Sequence, residues 1–167
     1  MITLRLMTPA DILLVVDKCA QDNWPKPAST FEAYLYDQIK GERTVCLAFF
    51  EAHFAGYVTL KITSAYPFFS EHNIPEINDL NVLPSSRRKG IGSALLAWAE
   101  QEAQKHSTVI GLGVGLYDGY GNAQQLYCKR GYLPDGLGIT YKNQRAVYGT
   151  TVEVDDDLIL WFVKKLR

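Results

Sequence analysis

A short basic segment with two glycines, Arg87–Arg88–Lys89–Gly90–Ile91–Gly92, is the part of the sequence best suited to hold a phosphate. Glycines let backbone N–H groups approach a ligand closely, and the amphipathic run from Ser93 to about Lys105 predicts a helix whose positive N-terminal end lies beside them. Three adjacent cations are enough to compensate a diphosphate. The segment therefore indicates a phosphate or pyrophosphate site, with a solvated basic turn as the alternative.

The spacing of this segment fits neither the G-x-G-x-x-G of dinucleotide-binding folds nor the G-x-x-x-x-G-K-[ST] of nucleoside triphosphate loops. It resembles [QR]-x-x-G-x-[GA], the signature of the GNAT superfamily of N-acetyltransferases, which use acetyl-CoA and need no metal. The flanks agree. Glu76 to Pro84 is similar to the strand of that family that ends in Val-x-Pro, and Ala123 to Tyr132 to its Ala-x-x-x-Tyr-x-x-x-Gly-[FY] element.

The resemblance implies residues that bind acetyl-CoA. The backbone of Leu80 and Val82 would pair with the pantetheine arm. The pyrophosphate would be held by the following loop and helix start, namely Arg87, Arg88, Lys89, Gly90, Ile91, Gly92 and Ser93. Family members often carry an Asn three residues before the alanine, where this sequence has Tyr120; Asn122 is near but out of register, and which of the two replaces the family residue stays open.

The implied reaction needs a base and an acid. An alkyl amine with a pKa of about 10.4 is neutral at pH 7 in only about one molecule in 2,500, which costs attack about 4.6 kcal/mol. Glu76, eleven positions before Arg87, matches the family's acidic residue and is the first candidate base; Asp79 is the second, and water is a third. The competing interpretation of Glu76 is a strand-end carboxylate paired with a surface Lys. Tyr127 matches the tyrosine that would protonate the departing thiolate.

The acceptor amine is less well specified. By resemblance its site is built by the first helical pair and the loops after it, which contain Trp24 and Tyr66, close to the acids Glu76 and Asp79. Aromatic and acidic groups suit a small cationic or amino-acid-like amine, such as an amino acid, polyamine or aminoglycoside. The alternatives are a peptide N-terminus or protein lysine as acceptor, and, from another class, a non-catalytic module that binds acetyl-CoA.

The predicted elements match an α/β (α+β) fold of this family over one domain, residues 1–167. Strands are expected at 2–6, 44–50, 54–62, 76–83, 108–116, 139–141 and 158–163, with helices starting at capping boxes near Thr8 and Ser29, at Ser93 and at Asn122. This gives about six to seven strands in a mixed, mostly antiparallel twisted sheet and about four helices; splayed central strands follow from the resemblance. Residues 64–75 form an aromatic loop that lines a cleft or plugs the domain, and Asp155–Asp157 predicts a solvated turn.

The composition of the chain argues against several classes of partner. The formal charge is -1, so nothing favours nucleic acid, and no stretch approaches the roughly 18 apolar residues of a membrane span. Three cysteines without a CxxC pair support neither a disulfide framework nor a zinc site, which makes a reducing, cytoplasmic setting the expectation. Exposed edge strands can pair with a second copy of the chain, so a homodimer is also compatible with the sequence.

Overall fold

The computed structural model describes all residues from Met1 to Arg167 and contains eight strands and five α-helices. The elements are β1 Ile2–Leu6, α1 Ile12–Gln21, α2 Ala28–Ile39, β2 Arg43–Phe50, β3 His53–Lys61, α3 Pro67–Glu71, β4 Glu76–Val82, α4 Ile91–Ala103, β5 Val109–Gly115, α5 Gly121–Lys129, β6 Leu133–Tyr141, β7 Gln144–Arg145 and β8 Leu158–Lys165. The α/β fold class is confirmed, with one more strand and one more helix than expected. The additions are β7 and α3, which are too short to produce a periodic pattern.

The chain divides into two compact units. Unit 1 comprises Met1–Ile62 and Ile77–Glu102, and unit 2 comprises Thr63–Glu76 and Ala103–Arg167. No helix in either is long and apolar enough to cross a membrane.

In unit 1 the strand order is β1-β2-β3-β4, and β2 pairs antiparallel with both β1 and β3. Helices α1 and α2 bury Val15, Cys19, Phe31 and Leu35, spaced by four residues on each helix, against one face of these strands. Asp11, beside α1, accepts a hydrogen bond from the Thr8 N–H at 2.8 Å, which confirms the predicted capping box.

Helices α2 and α4 both begin earlier than predicted. Helix α2 begins at Ala28 rather than after Ser29, because the extended Pro27 already serves as its N-cap. Helix α4 begins at Ile91, whose fully buried side chain anchors the first turn, rather than at Ser93. The glycine loop is therefore shorter than the sequence indicates.

In unit 2 the strand order is β5-β8-β6-β7, and each neighbouring pair is antiparallel. Strand β5 has glycine at alternate positions where aromatic rings pack. A Cβ at Gly111 would lie 2.2 Å from the Phe69 ring, and one at Gly115 would lie 2.4 Å from the Tyr120 ring. The aromatic loop thus plugs unit 2 with Phe69, which is the simpler of the two interpretations.

The sequence predicts a solvated turn at Asp155–Asp157, but two of these acids also accept hydrogen bonds from tyrosines. Asp156 accepts hydrogen bonds from the hydroxyls of Tyr117 at 2.6 Å and Tyr120 at 3.0 Å. Asp155 accepts one from Tyr141 at 3.1 Å. These acids tie the segment before β8 to the rest of unit 2, because phenols from distant positions converge on them.

Candidate active site

The basic glycine loop of unit 1 curls just before α4. Arg88 and Gly90 both have positive φ, at 64° and 81°. Ala94 N–H donates to the Gly90 carbonyl at 3.0 Å, which is the first bond of the helix, so the N–H groups before it lie in the turn that has no partners within a helix. The side chains of Arg87, Arg88 and Lys89 are exposed. Backbone donors and cations are thus grouped at the segment where the sequence predicts a pyrophosphate site.

Strand β4 leads into this loop, and its Leu80 and Val82 are half-buried. On β3, Gly56 approaches β4 so closely that a Cβ there would lie 2.3 Å from the Asn81 carbonyl oxygen and 3.0 Å from the Val82 Cα. Only glycine permits this spacing. The absence of a side chain at position 56 therefore sets where the β4 backbone lies.

Asp79 is the centre of a polar cluster in unit 1. Its carboxylate accepts hydrogen bonds from the hydroxyls of Tyr57 at 2.7 Å and Tyr34 at 3.0 Å, and also from the side-chain amide of Asn81. The Lys26 ammonium lies 3.3 Å from the same carboxylate. Asp79 is thus surrounded by four donors.

This cluster perturbs the two phenols. Burial, followed by the charge of Asp79, raises the pKa of Tyr57 far above its usual value and raises that of Tyr34 as well. Both hydroxyls consequently stay protonated and keep donating to Asp79.

Asn78, the neighbour of Asp79 on β4, is bound by Arg43. It accepts a hydrogen bond from Arg43 at 2.9 Å, and Arg43 also donates to Thr59 at 2.8 Å and lies over the Tyr34 ring. Asn81, two residues after Asp79, donates its side-chain amide to Asp79, as expected for residues i and i+2 on one face of a strand.

Glu76 belongs to unit 2 and is buried, with 5% of its surface exposed. The Ser64 hydroxyl donates a short hydrogen bond to its carboxylate, and the same hydroxyl accepts one from the Tyr66 N–H at 3.0 Å. The preceding Pro75 carbonyl accepts from the Gly111 N–H at 2.9 Å, which fixes the start of β4 to β5 within this unit. The carboxylate is held inside the unit rather than at its surface.

Tyr66 is locked in place. Its ring stacks on Trp161 with centroids 4.2 Å apart and planes 3° apart, and its hydroxyl donates to Asp135 at 2.8 Å. Phe69 meets both rings edge-on. The Tyr66 side chain beside Ser64 is therefore held in one position and has little freedom to rotate.

Helix α5 carries the remaining candidates, all in unit 2. Tyr127 is buried, with its ring 6.0 Å from that of Tyr132. Asn122 is exposed in the first turn. Tyr120 covers Gly115 and donates to Asp156, so its side chain is already occupied in packing.

The structure joins the predicted residues in two pairs, each through a residue that the sequence did not single out. Lys26 connects Trp24 with Asp79, since its ammonium lies 5.3 Å from the centre of the Trp24 ring. Ser64 connects Tyr66 with Glu76. Tyr34 and Tyr57 were also missed as partners of Asp79. The only available signal was that Lys26 and Ser64 lie in loops next to predicted site residues.

Similarity to known proteins identifies the fold and the family. No curated protein matches the sequence. Among solved structures, the chain is similar to a protein assigned to the GNAT family from Desulfovibrio desulfuricans, at 16% identity, TM-score 0.73 and full coverage of both chains. It is also similar to a ribosomal-protein-alanine N-acetyltransferase from Brucella melitensis, at 21% identity and TM-score 0.69, covering 98% of this chain and 99% of that one.

A third similar structure is yncA of Salmonella typhimurium, assigned as an acetyltransferase and solved with its cofactor acetyl-CoA, at 16% identity and TM-score 0.71, covering 99% of this chain and 94% of that one. At identities this low, the structural similarity shows a shared fold. The family model described as acetyltransferase (GNAT) family matches residues 13–132, well over half of the sequence. The chain belongs to the GNAT family and is an acyltransferase that uses acetyl-CoA.

Proposed function

We propose that this enzyme transfers the acetyl group of acetyl-CoA directly to a primary amine of a small molecule. The observation that carries the acceptor class is the cluster around Asp79, where a carboxylate and aromatic rings already surround the alkylammonium of Lys26. Groups that hold one alkylammonium suit another. We further propose one domain over residues 1–167, in the cytoplasm.

The proposed coenzyme site is the one that the sequence indicates. The pyrophosphate would be held by the N–H groups of Gly90, Ile91, Gly92 and Ser93 together with the exposed cations Arg87, Arg88 and Lys89. The backbone of Leu80 and Val82 would pair with the pantetheine arm. Support comes from the curled loop and from the half-buried strand that leads into it. Asn122, exposed where Tyr120 is occupied by packing, is the better candidate for the family's asparagine contact.

In the proposed step, the lone pair of the neutral amine attacks the thioester carbonyl, forming the C–N bond as the C–S bond breaks. Glu76 takes the amine proton, directly or through water, and the Tyr127 hydroxyl protonates the departing thiolate. Holding the reactants together contributes on the order of 7 to 11 kcal/mol, and the proton transfers contribute less. Both residues are buried in unit 2.

Glu76 is preferred to Asp79 as the base because Asp79 is already part of an ion pair. The Asp79 carboxylate accepts hydrogen bonds from Tyr57, Tyr34 and Asn81 and lies 3.3 Å from the Lys26 ammonium. Glu76 is buried and accepts a hydrogen bond from the Ser64 hydroxyl. We assign Asp79 a role in recognising charge rather than in moving a proton.

The second candidate acceptor is a peptide or protein amine. Similar structures include the ribosomal-protein-alanine N-acetyltransferases of Brucella melitensis and Escherichia coli. An α-amino group, with a pKa of about 7.7 to 8.0, is neutral far more often than an alkyl amine at pH 7 and needs less help from a base. That chemistry would make Glu76 nearly dispensable, which gives a way to separate the two acceptors.

The test measures release of CoA thiol at pH 8 across amino acids, polyamines, aminoglycosides and short peptides, with acetylated products identified by mass. We expect turnover on a small amine, reduced at least about tenfold by Glu76→Gln and by Tyr127→Phe. Tyr36→Phe, which changes an exposed tyrosine of α2, is the matched control and should keep wild-type rates. A single acetyl added to peptides but to no small amine would refute the proposed acceptor class, and full activity of Tyr127→Phe would remove Tyr127 from the chemistry.

A further inference from the structure

The ammonium of Lys26 lies among the Asp79 carboxylate and the rings of Trp24 and Tyr57, three side chains that together are called the cage. The Lys26 Nζ lies 3.3 Å from the Asp79 carboxylate, 5.3 Å from the centre of the Trp24 ring and 5.6 Å from that of Tyr57. A carboxylate combined with aromatic faces within about 6 Å is the arrangement by which proteins recognise organic cations. Here the cation comes from the chain itself.

The cage needs a cation. The other donors to Asp79, the hydroxyls of Tyr34 and Tyr57 and the amide of Asn81, are neutral. A carboxylate whose side chain is only 19% exposed is unfavourable without a counter-charge. The nearby Arg43 is engaged by Asp37, Thr59 and Asn78. Withdrawal of Lys26 would thus leave a site with a net negative charge.

The Lys26 side chain is also in a position to move out of the cage. It lies in the loop between α1 and α2, between Pro25 and Pro27, outside any helix or strand. Its side chain is 22% exposed, so the cage communicates with solvent. A lysine side chain has four rotatable carbon bonds, and it can swing away while the two prolines keep the loop backbone in place.

We propose that the cage formed by Trp24, Tyr57 and Asp79 binds a second, non-reacting ammonium of the acceptor, and that Lys26 is the intramolecular competitor that this ammonium displaces. The bound group is non-reacting because a protonated amine has no lone pair to attack the thioester. The acceptor is then a diamine, polyamine or aminoglycoside-like molecule rather than a simple amino acid. The inference rests on the proposed function for the ligand's role as acceptor, whereas ammonium binding is tested without turnover.

The experiment measures binding of 1,4-diaminobutane from the NMR shift of the Trp24 indole N–H, assigned with Trp24→Phe. Lys26→Met removes the competing charge and keeps the side-chain length. We expect it to bind the diamine at least about fivefold more tightly than the wild type. Lys26→Arg should bind as weakly as the wild type. Adding Asp79→Asn to Lys26→Met should abolish the gain.

Two controls match the perturbation. Lys40 also lies over an aromatic ring, that of Tyr36 at 4.3 Å, but Lys40 is exposed at the end of α2; Lys40→Met should leave diamine binding unchanged. The neutral alcohol 1-butanol should not shift the Trp24 signal, whereas 1-aminobutane should. If Lys26→Met lowers the unfolding midpoint, Lys26→Gln repeats the measurement with a polar side chain.

Three outcomes overturn the inference: unchanged or weaker diamine binding in both folded Lys26 variants, equal response to 1-butanol, or a response in Lys40→Met of the same size. Diamine binding gained without acetyl transfer to any amine keeps the ammonium site and removes the acceptor assignment. Acetylation of diamines that is indifferent to Lys26→Met keeps the proposed function and removes the cage from it.

Discussion

Gly56→Ala tests whether the close approach of β3 to β4 positions β4, the strand that we propose pairs with the coenzyme. The added Cβ would lie 2.3 Å from the Asn81 carbonyl oxygen, whereas carbon and carbonyl oxygen in sheets approach to about 3.3 Å, so the overlap is about 1 Å. A Cβ has no torsion by which to turn away, and the atoms it meets are backbone. The two strands must therefore separate by a distance of that order near Asn81 and Val82.

The magnitude follows from that displacement. Overpacking of this kind costs about 1 to 3 kcal/mol of unfolding free energy. If β4 pairs with the pantetheine arm, a misplacement of about 1 Å lowers kcat/KM for acetyl-CoA by about a hundredfold. Denaturant unfolding measures the first effect, and initial rates at varied acetyl-CoA concentration measure the second.

Gly121→Ala is the matched control, because Gly121 has φ -54° in the first turn of α5 and no atom within 4 Å of its added Cβ. It should be neutral or stabilise the protein by up to about 1 kcal/mol. An unfolding free energy for Gly56→Ala within about 0.5 kcal/mol of the wild type would refute the tight spacing. A clear loss of stability with normal acetyl-CoA kinetics would refute the link between β4 and the coenzyme.

Three further predictions concern titration and thiols. Because burial and Asp79 raise the pKa of Tyr57, the unfolded chain loses that proton first as the pH rises above about 10, and denaturation curves should show Tyr57→Phe losing less stability there than the wild type. Arg5 holds the pKa of Asp11 well below its usual range, so Asp11→Asn should cost about 1 kcal/mol at pH 7 and less at pH 2, where the wild type has lost part of this stabilisation. A chromogenic disulfide should titrate one thiol in the native protein, three after denaturation and none in native Cys128→Ser, since the other two cysteines are buried.

The parts of the site that the sequence predicts are local in the chain. The step from β4 through the glycine loop to α4 lies within about thirty residues, so periodicity, glycines and basic residues identify it together. The same holds for the helix that carries Tyr127. In these segments local propensity and the final fold point the same way.

What the sequence does not predict depends on contacts between distant positions. Lys26 and Tyr34 meet Asp79 across 53 and 45 residues, and nothing in either loop or helix indicates that partner. The sequence predicts strand β6 only over 139–141, because Pro134, Gly136 and Gly138 are residue types that are depleted in strands. There the pairing with β8 shifts register between Pro134 and Ile139. Packing, rather than propensity, decides such features.

The two acids of β4 show why residue type alone could not assign the roles. Glu76 and Asp79 are three positions apart and chemically similar, and both matched the expectation for a base. Their surroundings differ: Glu76 is buried beside the Ser64 hydroxyl, whereas Asp79 is loaded with four donors including an ammonium. A cation site must keep its negative charge, which is why we propose charge recognition at Asp79 and proton transfer at Glu76.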